Sequence, residues 1–405
     1  MNYASLKESI PNGLKDVAVF QTAGTKPLGK VAIGFGLAEK IGEEAAKFGQ
    51  GKVILVTDKN IVNLGLHLIV VNSLEQAGFE VTIFDEVEAE PHIETAQKIQ
   101  EIVRQEKYAL VVGLGGGSPM DMAKTTAIAA TNPADISEYI QGAPITNDVL
   151  PCILVPTTSG TGSEVSPFVV TSKGDKKLFI SSPYCYPTIA LVDPLMTATM
   201  PPRVTAATGL DALSHGVEGF IGKPSPFSDA FTSKCVQYVF QYLQRACADG
   251  NDLEARYYMS FASVFGMMSY TQGGGLYAHS CSYILTIGKG LPHGIGCGVA
   301  LPYTLAYNYD YIKDILLRFA PLIDPAIQGS DDQVAMKVIE KFYDLLGKVN
   351  IPNNLKDLGV EENEIPAMAD DLVKKYYRVR NPRAMSEEES LKFMECMWQG
   401  KLERI

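Results

Sequence analysis

At 405 residues, 46% hydrophobic and 20% charged, the chain has the make-up of a soluble globular protein and is too long for one ordinary core, so two domains are expected. Its net charge of −11 comes without the clustered positive face that phosphate backbones require, which sets nucleic acid aside as a partner. The opening MNYASLKESIPNGLKDVAVF has no basic or apolar leader pattern and no run reaches the ~18 apolar residues of a membrane span, so a cytoplasmic location with no membrane partner is expected.

In chain order, KVILVTD (52–58) reads as a buried strand, 61–77 as a helix, EVTIFDEV (80–87) as a strand and 93–106 as a helix. YALVVGLGGGS (108–118) is a strand running into a glycine turn, and PCILVPTTSG (151–160) and IALVDP (189–194) are two further strands. Strands alternating with helices imply βαβ units and a parallel sheet. Beyond residue 199 the pattern turns helical, most clearly over 227–248, 254–272, 310–322 and 332–347, and the Pro-Pro at 201–202 marks the change. The expectation is an α/β domain over 1–198 and an all-helical domain over 199–405. The seven cysteines are scattered with no C-x-x-C pair, as free thiols of a reducing compartment would be.

GLGGGSPMDMAK (113–124) follows a strand and opens a helix. Gly115, Gly116 and Gly117 let the backbone approach a ligand, and the free N–H groups of the next helix suit a pyrophosphate. Ser118 is a candidate cap of that helix and Asp121 is expected in its first turn. The run is not G-x-G-x-x-G, and its plain alternative is a tight strand-to-helix turn. PTTSGTGSE (156–164) places hydroxyls and glycines after another strand, and in a parallel sheet both segments emerge at the carboxyl edge, where ligands bind. Asp58, closing the strand 52–57, is placed to accept from ribose hydroxyls, which favours NAD over NADP; its alternative is a helix N-cap.

Of five histidines, three fall in the helical half. ATGLDALSHGVEGF (207–220) puts Asp211 and His215 four residues apart, on one helical face. His279 begins a second stretch, and His293 follows after G-K-G-L-P, from a turn. One carboxylate and three imidazoles suit a divalent first-row metal, although each histidine taken singly could be a satisfied core or cap residue. His67 and His92 are left as structural.

These motifs, GGGSPMDMAK, PTTSGTGSE, ATGLDALSHGVE and the histidine pair ending in LPHG, occur in the order and spacing of the iron-containing (group III) alcohol dehydrogenases, which the chain resembles from about residue 28 to about 400. The resemblance implies a Rossmann-like first domain and a helical second domain, the fold shared with dehydroquinate synthase. It implies metal ligands at Asp211, His215, His279 and His293, carrying iron(II), with zinc or manganese able to use the same set. It implies NAD(H) contacts at Asp58, Gly115, Gly116, Gly117, Ser118, Asp121, Thr157, Thr158, Thr161 and Lys177, the last placed by its spacing from Asp193. It also implies a homodimer formed through an early strand near VAVFQTAG.

Two departures from the family bear on substrate. Tyr283 stands where many alcohol-specific members have a further histidine, one helical turn beyond His279, and is expected to point at substrate or nicotinamide beside that residue. Glu90 stands where many relatives have asparagine beside the cofactor. The resulting expectation is hydride transfer between NAD(H) and a short alcohol or aldehyde, with Tyr283 and nearby cations such as Lys289 pointing to an acid-bearing one of the sulfoacetaldehyde or succinic semialdehyde type. Uncharged aldehydes or diols (ethanol, 1,2- or 1,3-propanediol) are the alternative. A dehydroquinate synthase-type lyase needs a cage of cations, and the basic residues form none around the motifs.

Overall fold

The computed structural model describes residues 3–10, 18–21, 29–174 and 176–404. Its contacts divide into two compact units, Met1–Met200 and Pro201–Ile405. The first is built on β1 (Ala18–Gln21), β2 (Lys30–Ile33), β3 (Lys52–Val56), β4 (Glu80–Phe84), β5 (Tyr108–Gly115), β6 (Cys152–Pro156) and β9 (Ile189–Val192), in the spatial order β1-β2-β9-β6-β5-β3-β4. Among the described residues β1 is antiparallel to its neighbour and the other six strands run parallel.

The apolar runs are continuous because both faces of the sheet are covered. Alternate side chains enter different cores, as the two-residue period of a strand demands. Ile54, Val56, Val111 and Leu154 pack into one cluster, and Val53, Leu55, Val112 and Ile153 into the other. The expected parallel sheet followed by helices is what the chain forms.

Three local expectations are corrected. The helix expected over 61–77 is two helices, Lys59–Asn63 and His67–Gln76, divided where Gly65 takes φ +74°. A separate antiparallel hairpin, β7 (Phe168–Lys173) and β8 (Lys176–Ser181), was not anticipated. His293 does not sit in a turn: it is the first residue of a helix, His293–Tyr307, whose N-cap is Pro292. Of the VAVFQTAG segment, residues 18–21 form β1 and residues 17 and 22–24 lie outside the described residues.

The second unit is helical, and the patterns read over 227–248, 254–272, 310–322 and 332–347 become Pro226–Ala248, Leu253–Gly273, Tyr309–Ile323 and Asp331–Lys348. The helix that carries Asp211 and His215, Pro202–Gly222, packs against Leu253–Gly273 with backbone almost touching backbone. A Cβ on Gly219 would stand 2.5 Å from the Ser269 carbonyl carbon, and one on Gly266 would stand 2.4 Å from the Ala212 oxygen. No described helix is long and apolar enough to cross a membrane.

This crossing predicts that Gly219→Ala costs about 1–3 kcal/mol through overpacking. Gly347→Ala, in a helix with nothing within 4 Å, is expected to be neutral or to stabilise by up to about 1 kcal/mol. Denaturant unfolding of the two variants checks both signs, and equal stabilities would contradict the packing argument.

Candidate functional site

In the first unit, three of the expected positions lie at the carboxyl ends of adjacent strands. Asp58 follows β3, Gly115–Gly117 close β5 and Thr157–Thr161 follow β6, with β3 pairing β5 and β5 pairing β6. The chain adds β4 on one side of β3 and β5 on the other, so Asp58 and the glycines flank the switch point where open α/β sheets take ligands. Gly115 has φ +149°, and a Cβ there would lie 2.6 Å from the Pro119 ring. Side chains at Gly116 and Gly117 would meet Thr158 at 3.5 Å and Thr161 at 3.1 Å. The two loops therefore face one another, and the Thr157 N–H donates to the Gly115 carbonyl at 2.9 Å. Thr158 Oγ1 is buried with no hydrogen-bond partner.

The neighbouring residues have further duties. Asp58 Oδ1 accepts from the Asn60 and Ile61 amides at 2.8 and 3.1 Å, an N-cap of the helix Lys59–Asn63. Gly116, not Ser118, is the N-cap of the helix Gly117–Ala129, and Ser118 Oγ donates to the Ala89 carbonyl at 2.5 Å. Asp121 falls just beyond the first turn and is buried; it accepts from Ser163 Oγ at 2.5 Å and from the Val170 amide at 2.9 Å. Lys124, also buried, donates to Ser163 Oγ, Ser166 Oγ and the Phe168 carbonyl at 2.7, 3.2 and 2.8 Å. Asp121 and Lys124 thus tie the serine-threonine loop to the glycine-loop helix. Lys177, on β8, forms an ion pair with Glu90, so the two positions that departed from or stood loosely in the family pattern meet. Burial lowers the Lys177 ammonium from its ordinary value.

In the second unit, Asp211 Oδ1 lies 3.9 Å from His215 Nε2, 4.0 Å from His279 Nε2 and 3.8 Å from His293 Nε2. Two atoms that share one ion at about 2.0–2.2 Å each can be no more than about 4.4 Å apart, so these separations fit a common ion. Asp211 Oδ1 and His279 Nε2 are buried with no hydrogen-bond partner. Burial raises the Asp211 carboxyl, and its neighbours His215, His293 and His279 outweigh that and lower it from its ordinary value. Asp211, His279 and His293 also form a mutual set within 4.8 Å with Cys297, which sequence reasoning did not single out; His215 reaches Asp211 without belonging to that set.

Two hydrogen bonds aim the imidazoles. The His279 Nδ1–H donates to Glu218, a fully buried carboxylate that also accepts from the Ala278 amide at 2.8 Å. Ser282 Oγ donates to the His293 carbonyl at 2.6 Å, which leaves that oxygen to accept from His293 Nδ1–H at 2.7 Å. With the proton on Nδ1 in each ring, the Nε2 lone pair faces Asp211, the arrangement a ligating histidine needs. Burial pushes His279 well below its ordinary value, which keeps its imidazole neutral, and pushes Glu218 up to about 7.

Tyr283, one turn beyond His279, stacks on His293 with ring centroids 5.4 Å apart. Lys289 pairs with Glu364 at 2.7 Å and offers no free charge. Arg378, which sequence reasoning did not single out, has its guanidinium 5.5 Å from the Tyr283 ring. Glu218 carried a signal that was missed, since it falls seven residues after Asp211 on the same helical face.

Comparison with known proteins agrees with this geometry. Residues 29–194 match the iron-containing alcohol dehydrogenase family, and residues 205–398 match the C-terminal part of the Fe-containing alcohol dehydrogenase family. The chain is 31% identical to long-chain-alcohol dehydrogenase 1 of Geobacillus thermodenitrificans, over 91% of this chain and 95% of that one. Among solved structures, 1,3-propanediol oxidoreductase superposes with TM-score 0.86 at 32% identity, covering 95% of this chain and 99% of its own. Sulfoacetaldehyde reductase from Bifidobacterium kashiwanohense, solved with NAD+, superposes with TM-score 0.80 at 30% identity, covering 93% and 99%. The chain belongs to the iron-containing alcohol dehydrogenase family, whose members are oxidoreductases acting on CH–OH donors with NAD(H) and a divalent metal.

Proposed function

We propose that this chain reversibly reduces a short aldehyde with NADH, with its metal held by Asp211, His215, His279 and His293 and its cofactor at the edge formed by β3, β5 and β6. The observation that carries the metal assignment is the pair of buried, unpartnered atoms, Asp211 Oδ1 and His279 Nε2, within 4.0 Å of one another. Burying a carboxylate oxygen without hydrogen bond or counter-charge is costly, and a divalent ion removes that cost. When bound, the metal polarises the substrate oxygen and the nicotinamide gives or takes hydride.

The chain's own residues orient these parts. Glu218 and Ser282 fix the tautomers of His279 and His293. The glycine loop and the Gly117–Ala129 helix offer backbone N–H groups to the pyrophosphate, with Ser118, Asp121, Thr157, Thr158 and Thr161 around it. The Asp58 cap uses one oxygen; the ribose contact proposed for it uses the other. Lys177 enters this reading as a cofactor neighbour whose charge Glu90 shares.

For substrate, we favour an aldehyde with a carboxylate or sulfonate. Identity near 30% to both a propanediol oxidoreductase and a sulfoacetaldehyde reductase does not choose between charged and uncharged substrates. The favouring observation is that Tyr283 borders His293 and carries a cation on its ring. A homodimer through the sheet edge at β1 and a cytoplasmic location complete the proposal.

NADH oxidation over a panel of aldehydes is expected to run fastest with succinic semialdehyde or sulfoacetaldehyde; equal or better rates with propanal and butanal would refute the acidic preference. His279→Ala is expected to lose both bound metal and turnover, and unchanged metal content with retained turnover would refute the ligand set. Glu218→Gln, which weakens the hold on His279, is expected to lower metal affinity by about 10–100-fold in chelator competition; unchanged retention would remove Glu218 from the orienting role.

A further inference from the structure

The segment 374–383 carries Lys374, Lys375, Arg378, Arg380 and Arg383 in a chain of net charge −11. Three of these cations are neutralised by carboxylates: Lys374 pairs with Asp370, Lys375 with Asp371 and Arg383 with Glu389. Among the described residues, Arg378 and Arg380 have no carboxylate within ion-pair distance. Arg380 is exposed and donates to the Gln272 carbonyl at 3.2 Å. Arg378 is partly buried, donates from Nε to Ser280 Oγ at 2.8 Å, and lies over the face of Tyr283. Glu218, whose charge it feels, is committed to His279 and the amides beside it. The fork of guanidinium N–H donors therefore exceeds what Ser280 and Tyr283 accept, and its charge lacks a direct partner.

Its position gives that charge a use. Arg378, Arg380, Gly274 and Gly275 border an open pocket of about 280 Å³. The wall at Gly275 backs onto the metal centre, since a Cβ there would stand 3.1 Å from His279 Cβ and 2.7 Å from the Tyr270 hydroxyl. Tyr283 neighbours both groups, its ring centroid 5.4 Å from that of His293 and 5.5 Å from the guanidinium. Ser280 and Tyr283 lie on the helix Tyr277–Lys289 that also carries His279, so the helix that presents an imidazole also holds the arginine.

We propose that Arg378 is the residue that reads the substrate's charge, receiving the terminal carboxylate or sulfonate of a short aldehyde whose carbonyl end faces Asp211, His279 and His293. This rests on the acidic-substrate reading above and names the group responsible for it. Planar oxyanions match the guanidinium fork, and the ring of Tyr283 fixes its plane. The same charge disfavours aldehydes that carry an ammonium group, so selectivity has a repulsive arm as well as an attractive one.

The test compares kcat/KM for succinic semialdehyde and for butanal in the metal-loaded, full-length enzyme. Arg378→Gln is expected to lower the acid-to-neutral ratio by about tenfold to a hundredfold, chiefly through KM, and Arg378→Lys to recover part of it. As a readout independent of turnover, succinate is expected to raise the Tm of the wild type and not that of Arg378→Gln. Should the glutamine variant fail to fold, Arg378→Met, which keeps the aliphatic stem, decides in the same way. A wild type that prefers the acid while the variants keep that preference overturns the assignment of Arg378 alone. A wild type with no preference for the acid overturns the acidic-substrate reading itself. A fall in both substrates' kcat/KM at constant ratio marks a structural arginine and overturns the proposal.

Discussion

A carboxylate removed from water needs donors or a counter-charge, and Asp211 Oδ1 meets no hydrogen-bond donor among the described residues. Around it stand three imidazole nitrogens at 3.8–4.0 Å, of which His279 is held neutral by burial. Much of the helical unit is arranged to hold this group of atoms in place. The glycine-lined crossing of Pro202–Gly222 with Leu253–Gly273 fixes the helix of Asp211 and His215. Glu218, on that same helix, then reaches His279 in the first turn of Tyr277–Lys289 and fixes its ring. Ser282, one turn further along, does the same for His293. Imidazoles oriented by Glu218 and Ser282 beside a buried carboxylate are what the proposed metal centre requires.

The sheet unit works by a different device. The edge proposed for the cofactor consists of backbone: a glycine turn at the end of β5, a hydroxyl-rich turn after β6 and the capped turn after β3. Such loops need bracing if their N–H groups are to stay aimed. The bracing comes from buried polar side chains, Asp121 and Lys124, which join the glycine-loop helix to Ser163, Ser166, Phe168 and Val170. Charge here supports geometry, and among the described residues Lys177 of the adjoining hairpin pairs with Glu90.

How legible this was depended on sequence distance. Asp211 and His215 could be read because four residues on a helix are one turn, and Glu218 was readable by the same rule but was passed over. The parallel sheet was readable from apolar runs that ended in turns, with both faces buried. The β7–β8 hairpin could have been read from two strand-like runs about Gly174. The cap role of Asp58 was one of two open readings, and the local bonds to Asn60 and Ile61 now stand beside the proposed ribose contact. The pairing of Lys177 with Glu90 spans 87 residues and that of Arg378 with Ser280 spans 98. Such contacts come from tertiary packing, which no local periodicity encodes. Cys297 was likewise invisible, because its nearness to Asp211 depends on where the His293 helix begins.

Anomalous diffraction from crystals of the metal-loaded protein, collected at the absorption edge of the bound metal, bears most directly on this account. It predicts a single strong peak in the helical unit, bonded to Asp211 and to the Nε2 atoms of His215, His279 and His293. A peak whose ligands omit Asp211, or a centre in which Cys297 ligates in place of His215, would contradict it.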